Sequence, residues 1–100
     1  MECEKTLEQL PKLLLKLIDD INLEAKNSII PDIEKIEKAI CIIEKTCKNN
    51  IFVDMITSSL RKFMNYCRIH YNLDKPDFLI SIIKIFISFI EKYLKKSINL

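Results

Sequence analysis

The chain contains no glycine. Without that residue there is no low-cost route to a positive φ, which excludes the phosphate-cradling loops of dinucleotide-binding and P-loop sites, collagen-like repeats and the primed two-residue hairpin turns. Most nucleotide-handling enzymes are ruled out on that ground. At 100 residues the chain is long enough to bury about two-thirds of its unfolded surface, which predicts one domain over residues 1–100 with a real hydrophobic core.

The apolar residues do not reveal their secondary structure by type. There are 19 Ile against one Val, and 14 Lys against two Arg, a bias expected of A/T-rich codons, so β-branched content is a poor argument for strands and spacing has to decide. Thr6-Leu7-Glu8-Gln9 has the form of a capping box, and Leu10, Leu13, Leu14, Leu17, Ile18 and Ile21 follow as a one-sided helical stripe reaching about Asn22. Pro11 is awkward inside such a helix, which predicts a start near Leu10 or a kink there. Residues 22–30 lose the stripe. Pro31, followed by Asp32 and Glu34, predicts a second helix from residue 31, with apolar positions at Ile33, Ile36, Ala39, Ile40, Ile43 and Cys47, ending at Lys48-Asn49-Asn50.

The segment 51–56 reads as a short helical turn, and Ser58-Ser59 can cap a third long helix in which Leu60, Phe63, Met64, Cys67 and Tyr71 share a face. Asp74-Lys75-Pro76-Asp77 predicts the start of a fourth, Phe78 to Leu94, with Lys92, Lys95 and Lys96 toward its negative end. This last helix is apolar nearly all round. Its stretch from Phe78 to Ile90, broken by Lys84, is shorter than the ~20 residues a bilayer span needs, so it is expected at the buried centre of a bundle. The predicted fold is all-α: a compact bundle of four long helices plus one short helix.

The chemistry-bearing residues are sparse. The start, MECEKTLEQL, has no basic stretch leading into an apolar segment and a cleavage site, which predicts an intracellular chain whose cysteines, Cys3, Cys41, Cys47 and Cys67, stay reduced and serve as small core residues. Cys67-x-x-His70 lies on one helix face and Cys41 and Cys47 are possible further thiolates, but the spacing is not that of a zinc finger or ribbon. No nucleophile motif surrounds His70, and Asp19-Asp20, adjacent on a helix, point to different sides and read as solvated surface. We therefore expect no catalytic, cofactor or metal residue and no enzyme activity. With 16 basic against 14 acidic residues, net charge +2, and only a weak stripe at Arg61, Lys62 and Arg68, neither nucleic acid nor a membrane is an expected partner.

Residues 51–70, IFVDMITSSLRKFMNYCRIH, carry one resemblance. Val53-Asp54-Met55-Ile56, then Ser58-x-Leu60, then Met64-Asn65-x-Cys67-Arg68-x-His70 resemble the central stretch of the TFIIS N-terminal domain family, the helical module also found in Elongin A, a Mediator subunit and the integrase-binding domain of LEDGF. The helices on either side, Ile36 to Cys47 and Ile87 to Leu94, resemble the family's flanking helices. Arg61 stands where the family usually has Gly, Ile90 where it usually has Trp, and one residue is missing between Ile56 and Leu60. Apart from any family, Leu60, Met64 and Cys67 fall on one apolar face, while Asn65 and Arg68 can reach a neighbouring carbonyl or carboxylate in a structural role. The resemblance implies a TFIIS N-terminal-domain-like bundle acting as a non-catalytic, monomeric, nuclear module of transcription elongation. It would dock disordered acidic-hydrophobic peptide motifs of other elongation factors. It also implies a partner-binding surface of two inter-helix loops, with Ile29, Ile30 and Asp32 in one and His70, Tyr71 and Leu73 in the other. The alternative is an unrelated intracellular helical adaptor, or a homo-oligomer that buries the last helix against a copy of itself.

Overall fold

The stripes become four helices. The computed structural model describes residues 2–71 and 76–98, and in it α1 spans Glu2–Asn22, α2 Lys26–Thr46, α3 Ile51–His70 and α4 Pro76–Ile98. Each helix runs back along its predecessor, α1 closes against α4, and the result is an up-down-up-down bundle, 42 × 23 × 18 Å. Leu10, Leu14, Leu17, Ile33, Ile36, Ile40, Ile43, Leu60, Met64, Ile83 and Ile90 form its fully buried centre. Each such side chain contributes about 1.5–3 kcal/mol on leaving water. Packing is most extensive between α1 and α2 and least between α3 and α4.

Several boundaries differ from the sequence-based expectation. The first helix neither starts at Leu10 nor breaks there: it begins at Glu2 and continues through Pro11. Thr6 does not act as a cap; its hydroxyl donates back to the Glu2 carbonyl at 2.8 Å. Burial of Leu7 and the tethering of Cys3 offset the backbone bond that Pro11 removes. Likewise α2 starts five residues before Pro31, because Ile29 and Ile33, one turn apart, both reach the core, while Pro31 sits on the exposed side. The α1–α2 connection is therefore only three residues. Glu24 there takes a positive φ of 53°, and the N–H groups of Leu23, Glu24 and Ala25 donate to Asp19, Ile21 and Asp20 carbonyls. The separate short helix does not form; residues 51–70 are one helix, capped by Asn50, whose Oδ1 accepts from the Val53 N–H at 3.1 Å.

Two further expectations are corrected. Cys3 and Cys47 are joined by a disulfide with Cα atoms 5.3 Å apart, because the antiparallel α1 and α2 bring their outer ends together, a proximity that a separation of 44 residues conceals. Nor is α4 the buried centre. It is one wall of a ring, with Phe78, Ile85 and Phe89 each about half exposed. Among the described residues no helix is long and apolar enough to cross a membrane.

Candidate functional site

Two places in the bundle gather residues that do more than fill the core. The first is the end where α2 begins and α3 finishes. Arg61 pairs with Glu44 and Arg68 with Glu37 across the α2–α3 contact, which sets the two helices antiparallel and brings Ile29, Ile30 and Asp32 to the same end as His70 and Tyr71. Leu73 lies outside the described residues. Ile29 is 3% and Asp32 4% exposed, so both face inward and offer no surface to a partner. Ile30 and Tyr71 are half-buried against the core, and His70 packs on Tyr66 with ring centroids 4.3 Å apart. These three keep some exposed surface.

Asp32 is occupied by a different interaction. Asp20, expected on the solvated surface, is buried against it, and Lys16 reaches over both, 2.9 Å from Asp20 Oδ2 and 3.9 Å from Asp32 Oδ1. Burial, then the hydrogen bond to Asp20, pushes Asp32 up to about 6. Asp32 Oδ2 is buried with no donor to accept from, which fits a protonated acid whose O–H donates to Asp20. That hydrogen bond and the Lys16 ammonium hold Asp20 below the usual carboxylate range, and Asp20 in turn raises Lys16. The trio joins α1 to α2.

The arrangement predicts a pH dependence of stability. Between the unfolded carboxylate value of about 4 and the folded value of about 6, the native state holds a proton on Asp32 that the unfolded chain has released, so stability falls as pH rises through that window. Asp20 acts in the opposite sense and lower: its depressed value gives stability that is present above about pH 4 and lost as pH falls below it. Asp32→Asn retains an N–H donor to Asp20 without the titration. Thermal melts of the variant are expected to lose the fall between pH 4 and 6 and to show a higher Tm at pH 7. An unchanged slope would mean that Asp32 is ionised in the folded protein.

The second place is the seam between α3 and α4. Here the helices stand apart and aromatic rings fill the gap: Phe63 packs on Phe86 with centroids 5.9 Å apart, and Phe52 stacks on Tyr93 at 5.1 Å. Outside them runs an open groove of about 450 Å³, lined by Phe52, Met55, Ile56 and Ser59 of α3 and Ile82, Ile85, Phe86 and Phe89 of α4. It contains no charged side chain. Met55, 64% exposed, and Ile85, 53% exposed, are its most open walls. Lys62 lies about one helical turn beyond Ser59 on α3 and is exposed, whereas Lys92 of α4 lines the pocket on the α1 side with Leu15 and Glu91.

The residues of the 51–70 stretch divide between these surroundings. Val53, Leu60, Met64 and Cys67 are buried, Met55 and Ile56 line the groove, Arg68 pairs with Glu37, and Asn65 is exposed. Burial pushes the Cys67 thiol up to about 12, leaving it inert. Cys47 is in the disulfide, Cys41 is exposed, and among the described residues no three His, Cys, Asp or Glu side chains come together as metal ligands. Phe52, Ile82, Ile85, Phe86 and Phe89 were not expected at a site; the available signal was a fourth helix too apolar for one with a solvent-facing side. The chain matches no protein-family model, no curated protein and no solved structure.

Proposed function

We propose that this protein is a non-catalytic interaction module that takes a short amphipathic helix of another protein into the α3–α4 groove. The observation that carries this reading is an uncharged, concave apolar surface left open along the least tightly packed seam of the bundle. From Phe52 to Ser59 the groove wall extends about 10 Å, room for two turns of a docked helix presenting anchors at i, i+4 and i+7. Lys62, beyond the Ser59 end of the groove, favours a carboxylate at that end of the docked helix, as an acidic-hydrophobic motif would supply. The likeness of residues 51–70 to the TFIIS N-terminal domain points to disordered segments of transcription elongation factors as the source of such motifs, and to the nucleus. In that reducing compartment the dithiol form of Cys3 and Cys47 prevails, and the bridge forms only on oxidation.

The test is an NMR titration of labelled protein with helical peptides of about 14 residues, carrying Leu or Phe anchors and either Glu or Lys flanks. The reading expects shifts confined to the groove residues, tighter binding of the Glu peptide, and loss of both in Ile85→Glu. Shifts at Ile30 and Tyr71 instead would move the site to the bundle end. A mass of twice 11.8 kDa at working concentration, abolished by Ile85→Glu, would make the occupant a second copy of the chain.

A further inference from the structure

The disulfide and the groove lie at the same end of the bundle, and a continuous series of contacts joins them. Cys3, half-buried in the first turn of α1, is bonded to the buried Cys47, the residue that closes α2 and whose N–H donates to the Ile43 carbonyl. Three residues later the chain has reversed. Asn49 takes a positive φ of 65°, a conformation asparagine tolerates better than most residues but one that still needs its surroundings to hold it. Asn50 then makes three contacts. Its Oδ1 accepts from the Val53 N–H and its carbonyl from the Asp54 N–H, which together form the first turn of α3, and its Nδ2 donates to the Tyr93 hydroxyl of α4. Tyr93 stacks on Phe52, which is the end wall of the groove. Asn50 to Tyr93 is the only side-chain hydrogen bond between α4 and the rest of the bundle among the described residues.

We propose that the Cys3–Cys47 bond is a redox lever on the groove, holding its end wall closed when oxidised and releasing it when reduced. A dithiol reductant supplies the reaction. Its thiolate attacks one sulfur of the bridge, its second thiol resolves the mixed disulfide, and two electrons and two protons end on Cys3 and Cys47 while the reductant leaves as its own disulfide. Cys3 is the more exposed of the pair. Once the bond is broken, nothing covalent holds the turn at residues 47–50 against α1. Asn50 then loses its fixed position, and Phe52 and Tyr93 no longer have a common anchor. The regulatory half of this proposal rests on the groove being the docking site; the mechanical half does not.

Amide exchange read by NMR separates the two. The proteins compared are the oxidised chain, the chain reduced by a phosphine at low temperature, and oxidised Tyr93→Phe, which cuts the Asn50 contact but keeps the bridge. Reduction lowers stability overall and so speeds exchange at Met64 and Cys67, and at Val53 and Asp54 of the same helix it is expected to add about tenfold or more beyond that. Tyr93→Phe should reproduce that local change, and both should weaken binding of the Glu-flanked peptide by a similar factor. Exchange rising uniformly along α3 on reduction would overturn the lever, since the bridge would then stabilise only the fold as a whole. Unchanged exchange would overturn it too. Local acceleration in a protein whose oxidised form binds no peptide would sustain the mechanical coupling and remove the docking reading.

Discussion

Reducing the Cys3–Cys47 bond, or replacing Cys3 by Ser, is expected to lower the unfolding free energy by about 4 kcal/mol. The bridge closes a loop across a separation of 44 residues, and loop-closure entropy for a ring of that size amounts to about 4 kcal/mol at 25 °C in the chain-entropy account. For a domain of this length each kcal/mol moves Tm by about 4–8 °C, so the midpoint should drop by about 15–30 °C. The loss falls on α1 and α2, the pair with the most extensive contact, and α1 would fray from its first turn toward Leu7, whose carbonyl Pro11 leaves without a helical donor. Calorimetry with and without a phosphine reductant checks this. Cys41→Ser is the control, because Cys41 is exposed and outside the bridge, and it should leave Tm within about 2 °C. A shift on reduction no larger than the control's would mean that the two ends are held by packing alone.

A second large effect separates two isoleucines of α4 that are two residues apart. Ile83 is fully buried between the other helices, and truncating it to Ala should cost about 2–5 kcal/mol, the transfer of the lost methylenes plus the cavity left behind. Ile85 is 53% exposed on the groove, and Ile85→Ala should stay within about 1 kcal/mol. Urea melts of the two variants measure the contrast directly, with m unchanged if the native and denatured states keep their surfaces. Equal losses at both positions would place Ile85 in a closed interface, as it would be if a second copy covered the seam. The same contrast explains why Ile85→Glu is a useful probe of binding: it alters the surface of the groove without entering the core.

Where apolar and polar residues alternate with a clear phase, as in Leu10, Leu14, Leu17 and Ile21 or in Ile33, Ile36, Ile40 and Ile43, the spacing alone identifies the inward face, and all eight are buried. The same holds for Leu60, Met64 and Cys67. The prolines misled for a physical reason. A proline inside a helix costs one backbone bond and a steric adjustment, an amount that a few buried side chains beyond it can offset. Pro11 and Pro31 mimic boundaries in the sequence because that offset is made by contacts with other helices, which local spacing does not report. Asp20 resembles a surface residue on the same basis, since its partner, Asp32, sits on the next helix.

The candidate site was less legible than the fold. Ile29, Ile30 and Asp32 lie in α2 rather than in a loop, since α2 starts at Lys26 and draws Ile29 and Asp32 into the interior. The groove residues of α4 were present as an excess of apolar side chains, but a helix apolar nearly all round has no phase, so nothing in its sequence says which side meets α1 and which meets solvent. By itself the sequence determined that the chain is helical, that it has four amphipathic or apolar segments, and that glycine-dependent nucleotide sites are absent, because each of these depends on residue type and near-neighbour spacing. Only the tertiary structure decided that Cys3 meets Cys47, that Asp20 meets Asp32, and that α3 and α4 stand apart over an open apolar groove. Those outcomes depend on how four helix axes are placed relative to one another, and that placement is the joint result of contacts between residues far apart in the chain.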